Sequence, residues 1–339
     1  MKLKKEFADF YREIRIDKET NALREKREIL EEDIKSKLPD ILKDHNISVS
    51  RSDIRMIDQG SYKYNTTISD DVVDRDVAVM IPLDISVSSD PRKIKGYIRD
   101  AINIPARTVS IKEPCVRASY YENGKEWLHI DLPLYAQYEN SVYLARGKEY
   151  SSDYSWESAD PDGLNDYLCG QINGNAQLRR VICFIKKWRN EQYSGSTNDH
   201  EAPPSIGLTL LACECFSAQS TDDGDDDLLS LQKTMKGMLD RFTYTFDDKG
   251  NLVRTITKNL PVTPYTDVFK KMKDSSSTYM TTFYNRLSKA VDNLTNAVNV
   301  ESAHDAGKYV QKVLGDDFTV PAKEAVAAAA QNRREHSFG

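Results

Sequence analysis

The chain has 339 residues, enough for one large domain or two ordinary ones with a substantial buried core. Its 47 Lys and Arg against 53 Asp and Glu give a formal net charge of −6. This balance argues against a protein whose main role is to coat nucleic acid, because phosphate binding needs a cationic surface.

Residues 1–45 predict a long N-terminal helix that braces two lobes. Phe7, Phe10 and Ile14 form one apolar stripe at helical spacing, and a second set of apolar residues continues it between many charges. The first residues are too charged for a signal peptide, and the longest apolar stretch, 206–216, is far short of a membrane span. The sequence therefore predicts a cytoplasmic protein without a membrane partner.

Residues 46–160 predict a mixed α/β block. Short β-rich runs bounded by Gly, Pro, Asn or Asp occur at 72–73, 77–81 and 128–132, and helical spacing lies between them around residues 94–102. After residue 160 the helical period dominates, so 161–322 predicts a helical lobe, and 323–339 predicts a mobile C-terminal tail. The chain is thus expected to have an α+β fold, with a mixed sheet in one lobe, helices in the other, and a ligand cleft between them.

Two aspartates mark the head of an apolar strand. Asp74 and Asp76 are two residues apart, so in a strand both carboxylates point to the same face. Repulsion between them is tolerable where a cation lies between, and Mg²⁺ prefers oxygen ligands and substrate phosphates. Alone, the pair also fits two exposed acids at a strand edge.

A candidate phosphate-binding turn precedes this pair. Gly60-Ser61 follows a predicted strand, where a turn into a helix would form an anion site. An ordinary strand–turn–helix with a Ser cap gives the same pattern.

A third aspartate follows in a later strand. Asp131 alternates with the apolar residues of 128–132, so its carboxylate needs a partner. That partner could be the metal of Asp74 and Asp76, an arginine or backbone N–H groups. Three aspartates with a Gly-Ser turn suit two-metal phosphoryl chemistry.

The sequence resembles the DNA polymerase β-like nucleotidyltransferase superfamily in its Gly-Ser, its D-x-D and its later strand Asp. The segments QGSYKYNTT (59–67), VDRDVAV (73–79) and HIDLPLYA (129–136) resemble the bacterial CD-NTases, and LRRVICFIKKW (178–188) and PSIGL (204–208) resemble the second lobe of that family. These enzymes are relatives of animal cyclic GMP-AMP synthase and oligoadenylate synthetase, and they make cyclic oligonucleotide signals in anti-phage (CBASS) defence. The resemblance covers residues 50–320.

The resemblance implies a role for each matching residue. The catalytic and metal-binding residues would be Asp74, Asp76 and Asp131, with two Mg²⁺ ions as cofactors and Mn²⁺ as a substitute, and Asp131 nearest the attacking hydroxyl. The nucleotide-binding residues would be Gln59, Gly60, Ser61, Tyr64, Lys186, Lys187 and Ser205. Both lysines would equally suit a solvated helix face, and Ser205 would also suit a helix N-cap.

The implied reaction is the condensation of nucleoside triphosphates, ATP and GTP foremost, into a cyclic oligonucleotide with release of pyrophosphate. A purine cyclic dinucleotide such as cyclic GMP-AMP is the expected product, and a downstream effector would bind it. The zinc-binding insertion of the animal DNA sensor is absent, so no long DNA activator is expected. Some CBASS synthases are conjugated through a terminal Gly by a ubiquitin-like E1–E2 enzyme, so the resemblance implies the same for Gly339, the last residue of the sequence. The alternatives are a nucleotidyltransferase acting on RNA or protein, and a non-catalytic nucleotide-binding protein.

Overall fold

The computed structural model describes residues 2–16, 21–69, 72–198, 200–246 and 248–323. Their buried apolar side chains form two large clusters, one in a sheet lobe and one in a helical lobe. The tail from residue 324 onward, including Gly339, lies outside the described residues.

The N-terminal segment contains two helices, α1 (Lys4–Ile14) and α2 (Asn21–Asp44), rather than the one long helix expected from the sequence. Phe7 and Phe10 of α1 pack in the core of the helical lobe, where the ring centroids of Phe7 and Phe184 are 5.2 Å apart. Leu30 and Leu38 of α2 are buried in the core of the sheet lobe. The segment therefore joins the two lobes, but each lobe holds its own helix.

The sheet lobe is built on one mixed sheet of eight strands within the described residues. Its strands are β1 (Arg55–Gln59), β2 (Val73–Pro82), β3 (Thr108–Ile111), β4 (Val116–Glu122), β5 (Lys125–Leu132), β6 (Leu134–Tyr138), β7 (Ser141–Arg146) and β8 (Ser155–Ser158). Its further helices are α3 (Gly60–Lys63) and α4 (Pro91–Ile102), and a 3₁₀ turn covers Arg51–Asp53.

Strand β2 is central in the sheet. It pairs antiparallel with β1 and parallel with both β5 and β6. Val73 pairs with Leu128 of β5, and Val79 pairs with Leu134 of β6. The offset between the paired residue numbers is the same in both cases, so β5 and β6 lie end to end along one side of β2, separated by Pro133. Proline cannot donate to a strand ladder, which explains the break at that point.

The two faces of β2 have different neighbours. Val77, Val79 and Ile81 belong to the core that α2 and α4 cover. Because side chains alternate along a strand, Asp74 and Asp76 point to the opposite face, which they share with the small apolar cluster around Met80 and Tyr135. The face away from the α2/α4 core is therefore the one that carries the predicted acids.

The helical lobe packs helices from the second half of the chain around Phe184, Trp188 and Phe283. Its helices are α5 (Pro161–Ile172), α6 (Ala176–Tyr193), α7 (Ser205–Cys215), α8 (Asp227–Asp240), α9 (Lys270–Ser275), α10 (Ser277–Asn299) and α11 (Ala303–Leu314). Two small hairpins join β9 (Ser220–Thr221) to β10 (Gly224–Asp225) and β11 (Thr243–Phe246) to β12 (Leu252–Thr255). Among the helices in the described ranges, none combines the length and the apolar character that a membrane crossing requires.

Candidate active site

The three predicted aspartates lie together on the face of the sheet that is turned away from the α2/α4 core. Asp74 and Asp76 are on β2, and Asp131 is on the neighbouring strand β5. The parallel register places Asp76 directly opposite Asp131 and Asp74 directly opposite His129. The carboxylates of residues far apart in the sequence thus meet because β2 and β5 are adjacent in the sheet.

Carboxylates concentrate negative charge at this point. Burial, and after it the charges of Asp74 and Asp131, raise the pKa of Asp76 to about 8. Ligand atoms of Asp74, His129 and Asp131 all lie within 4.8 Å of one another. Mg²⁺ and Mn²⁺ prefer such carboxylate oxygens, and imidazole suits transition metals. The donor set and its excess charge therefore fit a divalent cation.

Two basic side chains that were not predicted as site residues, Arg117 and His129, contact these acids. Arg117 on β4 lies opposite Asp131, and its Nε and Nη2 each donate to a carboxylate oxygen at 2.7 Å. His129 Nε2 is 3.1 Å from Asp74 Oδ1. Burial alone would lower the pKa of His129, but the contact with Asp74 outweighs it, so that pKa is raised. The arginine partner considered for Asp131 is therefore present, and it holds both carboxylate oxygens in one plane.

Two features of residue 60 require a glycine: its backbone conformation and its closeness to Asp76. Gly60 has a φ of +61°, in the left-handed region that favours glycine. A Cβ at this position would lie 2.1 Å from Asp76 Oδ2, so a side chain would collide with the acid. The chain can pass this close to Asp76 because residue 60 is glycine.

The residues on either side of Gly60 lie beside the acids. Gln59 ends β1 opposite Asp76, and its Oε1 accepts a hydrogen bond from the Tyr135 hydroxyl at 3.4 Å. The Ser61 hydroxyl is 3.0 Å from the Thr67 hydroxyl. The structure thus brings the predicted Gln59-Gly60-Ser61 segment to the edge of the acidic cluster.

Tyr64 is buried and has a structural partner. Its hydroxyl donates to Asn165 Oδ1 of α5 at 2.7 Å, and Asn165 Nδ2 donates to the Asp58 carbonyl at 3.3 Å. Burial raises the pKa of Tyr64 above its usual range. Asn165, another residue the sequence did not indicate, therefore ties α5 of the helical lobe to β1 and to the segment after it.

The two adjacent lysines of α6 point to different places. Lys186 is buried, and its Nζ donates to the Thr66 carbonyl at 3.0 Å and to the Thr66 hydroxyl at 3.2 Å. Burial lowers its pKa, while Asp76 and Asp74 are close enough to oppose that shift. Lys187 instead pairs with Asp317 at 2.7 Å and with Glu191 at 2.8 Å. Both lysines are buried, so neither lies on a solvated face, and Lys186 is the one that faces the acids.

Ser205 is exposed at the start of α7. It is the first residue of the helix, whereas Pro204 occupies the N-cap position, so the alternative role of Ser205 as the N-cap is wrong. The next residue, Ile206, lines the cavity between the two lobes.

A cavity of about 430 Å³ lies over the acids between the two lobes. The sheet contributes Gln59, Asp76 and Asp131, and the helical lobe contributes Leu164, Ile206 and Leu260. A ligand in this cavity would therefore contact both lobes at once, as predicted for the cleft.

Comparisons with known proteins agree with this architecture. Residues 54–135 match the model of the family described as "Cyclic GMP-AMP synthase DncV-like, nucleotidyltransferase domain". That segment contains the three aspartates and the Gln59-Gly60-Ser61 turn. A search of curated proteins found no match.

Solved structures match over nearly the whole chain. Vibrio cholerae DncV cyclic AMP-GMP synthase in complex with nonhydrolyzable GTP is 18% identical, covering 95% of this chain and 100% of that one, with a TM-score of 0.69. The same enzyme with the linear intermediate 5′ pppA(3′,5′)pG is 17% identical, covering 94% and 96%, with a TM-score of 0.66. Escherichia coli DncV bound to 3′-deoxy GTP is 18% identical, covering 90% and 93%, with a TM-score of 0.64. The predicted fold, a nucleotidyltransferase lobe joined to a helical lobe, is confirmed.

Proposed function

We propose that this chain, whose residues 54–135 match the DncV-like nucleotidyltransferase family model, is a CD-NTase of the polymerase β-like superfamily. In this proposal it joins nucleoside triphosphates into a cyclic oligonucleotide. The observation that carries the proposal is the meeting of Asp74, Asp76 and Asp131 on one sheet face, next to Gly60 and below a cavity that spans both lobes. An acidic cluster with close backbone approach is the arrangement that a metal–nucleotide complex needs.

One set of site residues would bind the metal ions, and another would bind the nucleotide. Asp74, Asp76 and Asp131 would hold two divalent cations, Mg²⁺ or Mn²⁺. When bound, such ions lower the pKa of an attacking hydroxyl and neutralise charge on a triphosphate. Arg117 keeps the Asp131 carboxylate in a fixed orientation through two hydrogen bonds of 2.7 Å.

The nucleotide would be held from both lobes. Gln59, Gly60 and Ser61 would contact the triphosphate from the sheet. Lys186 would contact it from the helical lobe, because an ammonium group has three donors and Thr66 accepts from Lys186 Nζ at two positions. Lys187 is committed to Asp317 and Glu191, so we assign it no contact with the triphosphate.

The reaction would proceed in two similar steps at one site. A ribose hydroxyl placed at Asp131 attacks the α-phosphorus of a bound nucleoside triphosphate, the bond to the β-phosphate oxygen breaks, and pyrophosphate leaves. The linear product then turns over, and its free ribose hydroxyl attacks the α-phosphorus of its own 5′ triphosphate. The bond to the β-phosphate oxygen breaks, a second pyrophosphate leaves, and the ring closes, with each hydroxyl proton released to solvent. No covalent enzyme intermediate is required, since positioning and charge carry the catalysis.

We propose ATP and GTP as the substrates and a purine cyclic dinucleotide as the product. The similar DncV structures were solved with a GTP analogue and with the linear intermediate pppA(3′,5′)pG, which supports this choice. The corresponding biological role is CBASS anti-phage signalling in the cytoplasm through an effector that binds the product.

The charge of the cavity favours small substrates over a polynucleotide. Its lining includes the acids Asp76, Asp131, Glu157 and Asp160, with Arg146 as the basic residue among them. A nucleic-acid strand would need a cationic groove along its backbone. A nucleoside triphosphate that arrives with divalent cations brings its own positive charge to such a lining.

Incubation with labelled substrates tests the proposal. The purified protein is given all four radiolabelled nucleoside triphosphates with Mg²⁺ or Mn²⁺, and the products are treated with phosphatase. We expect a phosphatase-resistant product whose mass is that of a cyclic oligonucleotide, and none from the Asp74→Asn/Asp76→Asn variant. A product that grows into a long polymer, or one that the variant also makes, would reject the proposal.

A further inference from the structure

The cavity extends from the acidic cluster along the sheet to strand β8. Tyr135 on β6 lies opposite Leu144 on β7, which in turn lies opposite Glu157 on β8. All three residues line the cavity, as do Asp76 and Asp131 at its other end. The row Tyr135–Leu144–Glu157 therefore continues the catalytic face outward from the acids.

The distance from Asp131 to Glu157, at the far end of this row, suits one nucleotide. Tyr135 follows Asp131 by four residues along the continuous line of β5 and β6, and Glu157 lies two strand spacings farther out. Strand rise and spacing put the Cα atoms of Asp131 and Glu157 about 16 Å apart. Side chains reach inward from both ends, so a nucleotide that reacts at Asp131 would bring its base to Glu157.

Apolar side chains surround the space where that base would lie. The helical lobe supplies Leu164, Leu260, Val262 and Pro264, and the sheet supplies Tyr135 and Leu144. Flat apolar walls hold a nucleobase by its faces and leave its edge to polar groups. Discrimination between bases must then come from the polar residues at the edge of the cavity.

Glu157 is the lining acid available for this role. Asp76 and Asp131 belong to the proposed metal site, and Asp160 Oδ1 accepts a hydrogen bond from Gly163 N at the start of α5. The Glu157 side chain is 50% exposed, and its Oε2 lies 3.3 Å from Arg146 Nε. This approach does not make a hydrogen bond, because Arg146 Nε is buried without a hydrogen-bond partner.

Arg146 is fixed beside Glu157 from the other side. Its Nη2 pairs with Glu113 Oε1 at 2.7 Å, and Glu113 Oε2 also pairs with Lys271 of α9 at 2.8 Å. The guanidinium is therefore anchored between the β3–β4 connection and the helical lobe, and it presents positive charge next to the Glu157 carboxylate.

We propose that Glu157 selects guanine for the nucleotide bound in this cavity, an inference that rests on the proposed function. Guanine presents two adjacent donors, its N1–H and its 2-amino group, which match the two oxygens of a carboxylate. Its O6 acceptor lies next to these donors, on the side where an arginine is favourable. Adenine places the lone pair of N1 against a carboxylate, and hypoxanthine lacks the 2-amino donor.

Equilibrium binding with three nucleotides tests this assignment. Nonhydrolysable analogues of GTP, inosine triphosphate and ATP are titrated into the full-length protein with Mg²⁺, and product formation is measured in parallel. We expect the wild type to bind the GTP analogue roughly 10- to 100-fold more tightly than the inosine analogue, because inosine loses one hydrogen bond to a charged carboxylate. Glu157→Gln and Glu157→Asp should reduce this ratio to about 3-fold or less.

Glu122→Gln, a change to an exposed glutamate at the end of β4, is the matched control and should leave the ratio unchanged. Unchanged discrimination in both Glu157 variants, with product still formed, would overturn the guanine assignment and leave the proposed function standing. If the Glu157 variants lose discrimination and the wild type itself makes no product, the guanine assignment is supported and the synthase function is rejected. A wild type that binds no nucleotide would overturn both.

Discussion

Replacement of Asp76 by asparagine should make the protein more stable in the absence of divalent cations. The folded protein holds the pKa of Asp76 at about 8 through burial and through repulsion from Asp74 and Asp131. In the unfolded chain an aspartate has a pKa of about 3.9. Between these two values the folded protein binds more protons at this site than the unfolded chain does, so stability falls as the pH rises. Asparagine does not titrate, so the variant escapes this loss.

The size of the effect follows from the pKa difference. Linkage gives about 3 kcal/mol of additional destabilisation of the wild type, relative to the variant, between about pH 5.5 and about pH 8. This is an upper value, because the carboxylate keeps some contact with solvent. With about 2–4 °C per kcal/mol for a large domain, the difference in melting temperature should grow by about 6–12 °C over this range.

Thermal unfolding of both proteins in EDTA across this pH range measures the effect. Asp44→Asn, which alters an exposed acid at the end of α2, serves as the control and should follow the wild type at every pH. Added Mg²⁺ or Mn²⁺ should stabilise the wild type more than Asp76→Asn and so narrow the difference. A difference that stays constant or shrinks as the pH rises would refute the argument from burial and repulsion.

Three other substitutions test separate contacts of the site. Gly60→Ala should lower the unfolding free energy by about 1–2 kcal/mol from the left-handed backbone alone and abolish most product formation, because its Cβ would meet Asp76; denaturant unfolding and the product assay check this, and wild-type activity would contradict it. Arg117→Lys loses the paired hydrogen bonds to Asp131, so kcat should fall roughly 10- to 100-fold with KM little changed, whereas a change confined to KM would contradict the positioning role. Tyr64→Phe leaves the buried Asn165 Oδ1 without its donor and should cost about 1–3 kcal/mol in urea unfolding; a loss well below that range would show that the contact contributes little.

The three aspartates could be predicted from the sequence because short-range patterns identify them. Asp74 and Asp76 share a face by strand alternation, and Asp131 stands in an apolar strand where an acid needs a partner. Arg117 and Asn165 carry no such signal. Arg117 reaches Asp131 through the register of β4 on β5, and Asn165 reaches Tyr64 across the lobes. Contacts of this kind depend on tertiary pairing, which no short segment encodes.

The N-terminal segment shows a related limit of sequence patterns. The apolar residues of α1 and α2 follow one helical period, so they predicted a single helix. The pattern does not reveal which core each turn enters, and here the two helices enter different cores. In the same way, Lys186 and Lys187 are adjacent on α6 but point about 100° apart around the helix, so only the fold separates the lysine near the acids from the one paired with Asp317.

The ratio of pyrophosphate released to nucleotide incorporated tests the central claim most directly. Ring closure releases one pyrophosphate for every nucleotide in the product, whereas a linear chain keeps one triphosphate and releases one fewer. The wild type with ATP, GTP and Mg²⁺ should reach a ratio of one, and Asp74→Asn/Asp76→Asn should release none above background. A ratio near one half, with a product that retains its 5′ triphosphate, would contradict ring closure. Equal release by the variant would contradict catalysis by Asp74 and Asp76.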